Sequence, residues 1–218
     1  MGSGGGGIMN LDTKENYLTD EEEVSLLLVA RDTLEYWVRR GQRVGVERYA
    51  LTPKLWEKHG AFVTLKKAGE LRGCIGYTAN REPLVIAVQD NAINAASRDP
   101  RFSSVTPDEL DDITIEISAM TSGDDPDTPF RQVHDIQEII IGRDGLFIET
   151  PPLRGGLLLP QVAVEEDWNV QQFLSALCRK AGYPDGAWRD TERTRLYRFS
   201  AQVFREVQRR DLAINPDD

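Results

Sequence analysis

The sequence predicts an α+β fold in which a mainly antiparallel sheet is flanked by helices. Three observations carry this. Alternating runs such as Asp112–Thr121 and Thr194–Val207 read as half-buried strands. Amphipathic runs opened by capping boxes read as helices. Strands and helices mix without strict β-α-β alternation, which disfavours a parallel sheet. With 218 residues, 40% of them hydrophobic, the chain is long enough for a sizeable core. One compact, bilobed unit over residues 10–212 is expected. Residues 1–9, with their Gly-rich run, read as an added flexible leader and Met9 as a native start, while residues 213–218 read as a frayed tail.

Thr19-Asp-Glu-Glu22 forms a capping box, and Val24, Leu27, Leu28, Leu34, Trp37 and Val38 follow at helical spacing to a stop at Gly41. Thr52-Pro53 opens a short helix. The β-prone run Ala61–Lys67 and the stretch Leu71–Gly76 make a hairpin around Lys67-Ala-Gly-Glu70. Glu82-Pro83 begins a helix with Val85, Val88, Ala92, Ala95 and Ala96 on one face. Asp99-Pro-Arg-Phe102 is a loop, and Thr106-Pro-Asp-Glu109 caps a brief helix. In the strand Asp112–Thr121, Ile113, Ile115, Ile117 and Ala119 point inward, with Thr114, Glu116 and Ser118 opposite. A Gly/Asp/Pro-rich loop over 122–129 leads to a hairpin of Glu138–Ile141 with Leu146–Glu149, closed by Gly142–Gly145. Leu157-Leu-Leu-Pro160 reads as a buried strand with a proline stop. Asn169 and Gln172 cap a helix whose apolar face is Val170, Phe173, Leu174, Leu177 and Cys178. The last strand turns Tyr197, Phe199, Ala201 and Val203 to one side.

Composition narrows the function. A net charge of −10 without a basic stripe argues against direct nucleic-acid binding. No run approaches the ~20 apolar residues of a membrane span. Two cysteines, Cys74 and Cys178, lie far apart, which fits a reducing, cytoplasmic compartment rather than a disulfide framework. Two histidines, His59 and His134, cannot build a multi-histidine metal centre, and two cysteines cannot hold a three-cysteine iron–sulfur cluster. No metal or cofactor is expected. No G-x-G-x-x-G, P-loop or G-x-S-x-G motif is present.

The chemistry concentrates in Leu71-Arg-Gly-Cys-Ile-Gly76. Alternation places Arg72, Cys74 and Gly76 on one face and Leu71, Gly73, Ile75 and Tyr77 on the core side. Arg72 is a fixed cation two residues from the thiol, a setting that favours thiolate. Its expected partners are Glu116 and Asp99. The plainer reading is a small packed cysteine in a tight hairpin, with Arg72 paired to a carboxylate.

Taken together, Gly60–Leu65, Leu71–Gly76, Asp99–Phe102, Ile141–Gly145 and Leu158–Val162, with Trp168 and the Phe173-Leu174 helix, resemble the AMMECR domain family over about residues 20 to 207. The chain is similar to the prokaryotic group called AmmeMemoRadiSam system protein A. The resemblance implies a larger and a smaller lobe with the Leu71–Gly76 motif lining a cleft between them. It also implies Memo-like and radical S-adenosylmethionine proteins as partners, and it supplies no reaction.

Two functions stay open on these residues. In a thiol-dependent enzyme, Cys74 is nucleophile or redox centre, with Arg72 activating and Glu116 as acid, base or orienting group. In a binding component, the cleft holds a ligand or partner and Cys74 is packed. The candidate cleft residues are Gly73, Gly76, Asp99, Arg101, Phe102, Pro160 and Gln161.

Overall fold

The computed structural model describes residues 17–121, 128–150 and 154–207, so the leader, the tail and most of the 122–129 loop lie outside the described residues. Helices α1 (Asp20–Arg40), α2 (Leu84–Ser97), α3 (Pro160–Glu165) and α4 (Val170–Lys180) accompany seven strands. These are β1 (Ala61–Lys67), β2 (Glu70–Tyr77), β3 (Ile113–Met120), β4 (Arg131–Gln132), β5 (Asp144–Thr150), β6 (Arg154–Leu158) and β7 (Arg195–Arg205). All pair antiparallel in one curled sheet of order β2-β1-β3-β7-β5-β6, with β4 beside β7.

Strand β7 spans both halves of the sheet. Its Ala201–Arg205 half pairs with β3, and its Arg195–Ser200 half pairs with β5. The larger core lies where α1 and α2 cover β1 and β3, burying Val63, Leu65, Ile115 and Ile117. The smaller core packs Phe173, Leu174 and Leu177 of α4 against Leu146 and Ile148 of β5. Met120, Leu159 and Phe199 form a third cluster with Phe62 and Ala201 packed against it. Among the described residues no helix is long and apolar enough to cross a membrane.

Local chemistry explains most elements. Thr19 and Glu22 make a reciprocal capping box on α1, and Gly41 closes it in the left-handed region. Ala68 and Gly69 both take positive φ, as a two-residue hairpin turn between twisted strands requires. Asn169 and Gln172 cap α4 as expected.

Four expectations are corrected. On α1, Val24 and Leu28 are exposed, while Leu26, Val29, Ala30 and Thr33 are buried along with the expected Leu34. The Leu26–Val29 run allows either phase. The buried phase places Ala30 and Thr33 inward, and Thr33 meets Gln89 of α2 at 3.4 Å. Glu138–Ile141 is not a strand, because Asp135 and Glu138 cap a 3-10 turn over Ile136–Glu138. The buried Asp144 carboxylate then accepts from the Ile140 amide at 2.8 Å and holds the turn. Strand β5 pairs with β6 and β7 instead. Pro160 does not merely stop a strand; at the first helical turn it opens α3. Finally, a bulge between Leu65 and Lys66 sets Leu65 opposite Gly73 but Lys66 opposite Leu71. Arg72 is the extra residue, and Leu71, expected in the core, is exposed.

Candidate functional site

The face of β1 and β3 turned away from α1 and α2 is polar. Register places Cys74, Thr64, Glu116 and Arg205 in one row across four strands, and Gly76, Phe62, Ser118 and Val203 in the next. Glu116 and Ser118, on the side of β3 opposite the inward isoleucines, are only 6% and 1% exposed. Helix α3 covers them. Gln161 Nε2 donates to Glu116 Oε1 at 3.2 Å and to Ser118 Oγ at 3.1 Å. Lys66 bridges Glu116 at 3.4 Å and Glu165 of α3 at 2.9 Å. Gln161 Oε1 is buried without a hydrogen-bond partner among the described residues. Beside this contact a shallow depression of about 290 Å³ is lined by Gly142, Pro160, Gln161, Val164, Glu165, Ala201 and Val203.

Strand β2 is the sheet edge, and the Asp99–Phe102 loop covers it. Asp99 Oδ2 accepts from the Cys74 amide at 2.9 Å, and Arg101 Nη2 donates to the Cys74 carbonyl at 3.3 Å. One acidic and one basic side chain thus satisfy the backbone groups that a further strand would otherwise take. Asp99 also accepts from the Arg101 amide, Nε and Nη2. The Arg101 guanidinium, helped by the Cys74 and Arg101 amides and opposed by burial, holds the Asp99 carboxyl well below the usual carboxylate range. The Phe102 ring lies 5.5 Å from the Arg101 guanidinium and 6.0 Å from that of Arg72.

Arg72 does not meet Glu116 or Asp99. The bulge swings it to Glu109, where Nε and Nη2 make a bidentate pair at 2.9 and 3.0 Å. Its remaining donors reach the carbonyls of Ser103 and Ser104. Glu109 additionally takes Lys67 and the Thr106 amide, and Arg72 dominates in holding its carboxyl well below the usual range. Arg72 is therefore a staple between β2 and the 103–109 segment.

The Cys74 thiol is partly exposed as a residue but crowded by protein. That crowding is the largest influence and pushes its pKa up. Donation from Thr64 Oγ1 at 3.2 Å and the charges of Arg101 and Lys180 oppose it without cancelling it. At neutral pH the group is a thiol, and Arg72, the expected activator, is not among its electrostatic neighbours. Cys178 is fully buried on α4.

The glycines have packing partners. A Cβ on Gly73 would lie 2.2 Å from the Ala95 carbonyl oxygen, so Gly73 lets the end of α2 approach β2. A Cβ on Gly76 would lie 2.3 Å from the Phe62 ring, which occupies the space over it. His59 is buried against Tyr17, with ring centroids 4.8 Å apart, and burial lowers its pKa; His134 is exposed. Among the described residues no cluster of His, Cys, Asp or Glu could hold a metal ion.

The structure thus brings Cys74, Asp99, Arg101 and Phe102 together, and separately joins Glu116, Pro160 and Gln161 under α3. Thr64, Lys66, Glu109 and Lys180 were missed by sequence reasoning. Glu109 carried a signal as a capping residue; the two lysines carried none.

The sequence matches the AMMECR1 family over residues 27–204. The chain belongs to the AMMECR1 family. A Thermococcus gammatolerans protein is 42% identical over 194 residues, covering 87% of this chain and 92% of that protein. A Methanocaldococcus jannaschii protein is 42% identical over 203 residues, covering 90% and 96%. The crystal structure of an uncharacterized protein from Pyrococcus horikoshii superposes with a TM-score of 0.80 at 37% identity, covering 89% of this chain and 96% of that one. At that identity the AMMECR1 relationship accounts for the shared curled sheet as well as the sequence match.

Proposed function

We propose that this AMMECR1-family chain is a cytoplasmic binding component of an AmmeMemoRadiSam-type protein- or RNA-modification system. In this reading a ligand or partner occupies the cleft around Cys74, with Asp99, Arg101 and Phe102 on one side and Glu116, Pro160 and Gln161 on the other. Gly73 and Gly76 shape the strand by close packing. Memo-like and radical S-adenosylmethionine proteins are the expected partners, and the chain itself carries no cofactor.

The observation that supports binding over thiol catalysis is the environment of Cys74. Its sulfur hydrogen-bonds the Thr64 hydroxyl, burial favours the protonated form, and Arg72 is committed to Glu109. A nucleophilic cysteine needs a stabilised thiolate, whereas here the charges of Arg101 and Lys180 leave the protonated form favoured.

The test is a pull-down of the Cys74→Ser variant with both partners, alongside a melting curve and mass analysis of any modified product. The variant should fold, associate and support product formation. Lost product with association intact would make Cys74 a catalytic nucleophile. Lost association in a folded variant would make the thiol an essential contact and overturn the packed-cysteine reading.

A further inference from the structure

Strand β7 carries an edge that the sheet leaves open. β5 pairs with its Arg195–Ser200 half on one side, and β3 pairs with its Ala201–Arg205 half on the other. Past Ser200, the β5 side of β7 has no strand among the described residues. The cause is local. Just before β5 begins at Asp144, the Ile140 carbonyl accepts from the Arg143 and Asp144 amides, and Gly142 takes a φ of 82°. That turn carries the chain off the line of β5.

Hydrogen-bond parity shows what the edge presents. The Thr121 amide donates to the Ser200 carbonyl at 2.9 Å, and the Glu206 amide donates to the Ile115 carbonyl at 3.0 Å. Even-numbered residues of this half thus aim their backbone groups at β3. Alternation aims the N–H and C=O of Ala201, Val203 and Arg205 the other way, where they meet no partner among the described residues. At the β2 edge, by contrast, Asp99 and Arg101 occupy the corresponding groups of Cys74.

The side chains of the same three residues share one face. Ala201 and Val203 line the 290 Å³ depression with Pro160 and Val164, and Val164 is 58% exposed, so that the hollow is both apolar and open. Arg205 is exposed and makes no ion pair among the described residues. Glu116, opposite it on β3, is already engaged by Gln161 and Lys66. Unpaired backbone groups, an apolar hollow and an unpaired cation therefore recur with the two-residue period of an extended chain.

We propose that the Ala201–Arg205 edge of β7 receives an extended segment of a partner protein as an added antiparallel strand, with an apolar side chain in the depression beside Val203 and an acidic side chain opposite Arg205. The added strand continues the line of β5, which fixes its direction, so the acidic residue comes two positions before the apolar one. This rests on reading the Pro160–Gln161 side of the cleft as a binding surface, and it names the kind of partner that this side takes.

The experiment begins with amide hydrogen exchange on the full chain. The Val203 and Arg205 amides should exchange faster than those of Gln202 and Phe204. A fluorescent peptide, TDTVTVTK, should then bind by anisotropy and slow exchange at Ala201, Val203 and Arg205. N-methylation of its aspartate and valines, whose amides face β7, should abolish binding, whereas N-methylation of the intervening threonines should not. Val203→Pro removes one edge donor and no bond to β3, a change that edge strands tolerate, and should weaken binding about tenfold. Arg205→Gln should weaken this peptide but not its TNTVTVTK analogue. Uniform exchange across residues 202–205, binding by neither peptide, or binding indifferent to the facing N-methyl groups would overturn the proposal, and the methylated peptides decide it even if Val203→Pro fails to fold. Binding that appears only once residues 208–218 are removed would give the edge to the chain's own C-terminal segment, and a doubled mass in light scattering that the peptide reverses would give it to a second copy; either overturns the partner assignment. Undiminished association of folded Val203→Pro with the Memo-like and radical S-adenosylmethionine proteins would overturn the edge assignment while leaving the binding reading intact.

Discussion

The two faces of β3 contrast sharply although they share one backbone. Ile113, Ile115 and Ile117 pack into the α1–α2 core, whereas Glu116 and Ser118, equally hidden, are covered by Gln161 and bridged by Lys66. Apolar burial is non-directional and stabilises a fold without needing a partner at each atom. Burying a carboxylate requires partners placed to satisfy it, and is weak evidence of stabilisation. The difference teaches that α3 covers the second face through polar partners aimed at particular atoms, and it is this face that carries Cys74.

Adjacent substitutions break the comparison most directly. Ile117→Ala, at a fully buried site, should lower unfolding free energy by about 2–5 kcal/mol. Glu116→Gln keeps the shape and an acceptor for Gln161, and Lys66 retains Glu165, so the loss should be near ~1 kcal/mol. Denaturant melts of both variants measure the gap. Equal losses would mean that the polar face is as much a core as the other.

Acid sharpens the same comparison at the covered edge of β2. Asp99 and Glu109 both have folded-state pKa values depressed below the ordinary ~4 of carboxylates. Their stabilisation is therefore fully present above that value and is lost as pH falls below it toward the folded pKa. Stability should decline from about pH 4 downward. Asp99→Asn should be less stable than the unmutated chain at neutral pH and should show a shallower acid decline, measured by urea midpoints across that range.

Much of the fold was legible because local chemistry and global packing agree there. The Thr19 and Asn169 capping boxes, the Ala68-Gly69 turn and the small-residue face of α2 each specify their element alone. The site was less legible. Simple alternation cannot register a bulge, so the Arg72 side chain was assigned to the thiol when it belongs to Glu109. Glu109 was already explained as a cap, and nothing in Thr106–Glu109 signals its second duty. Asp135 and Glu138 cap a 3-10 turn, which the reading of Glu138–Ile141 as a strand passed over.

The central claim is that the surface around Cys74 binds with a neutral thiol. The pH dependence of Cys74 alkylation by iodoacetamide tests it most directly, with Cys178 distinguished by peptide mass. The rate should keep rising through pH 8 and reach its midpoint above the ~8.5 of an ordinary cysteine. Thr64→Val, which removes the Thr64 donor to the sulfur, should move that midpoint higher still. A rate already at its plateau at neutral pH would reveal a stabilised thiolate and contradict the account.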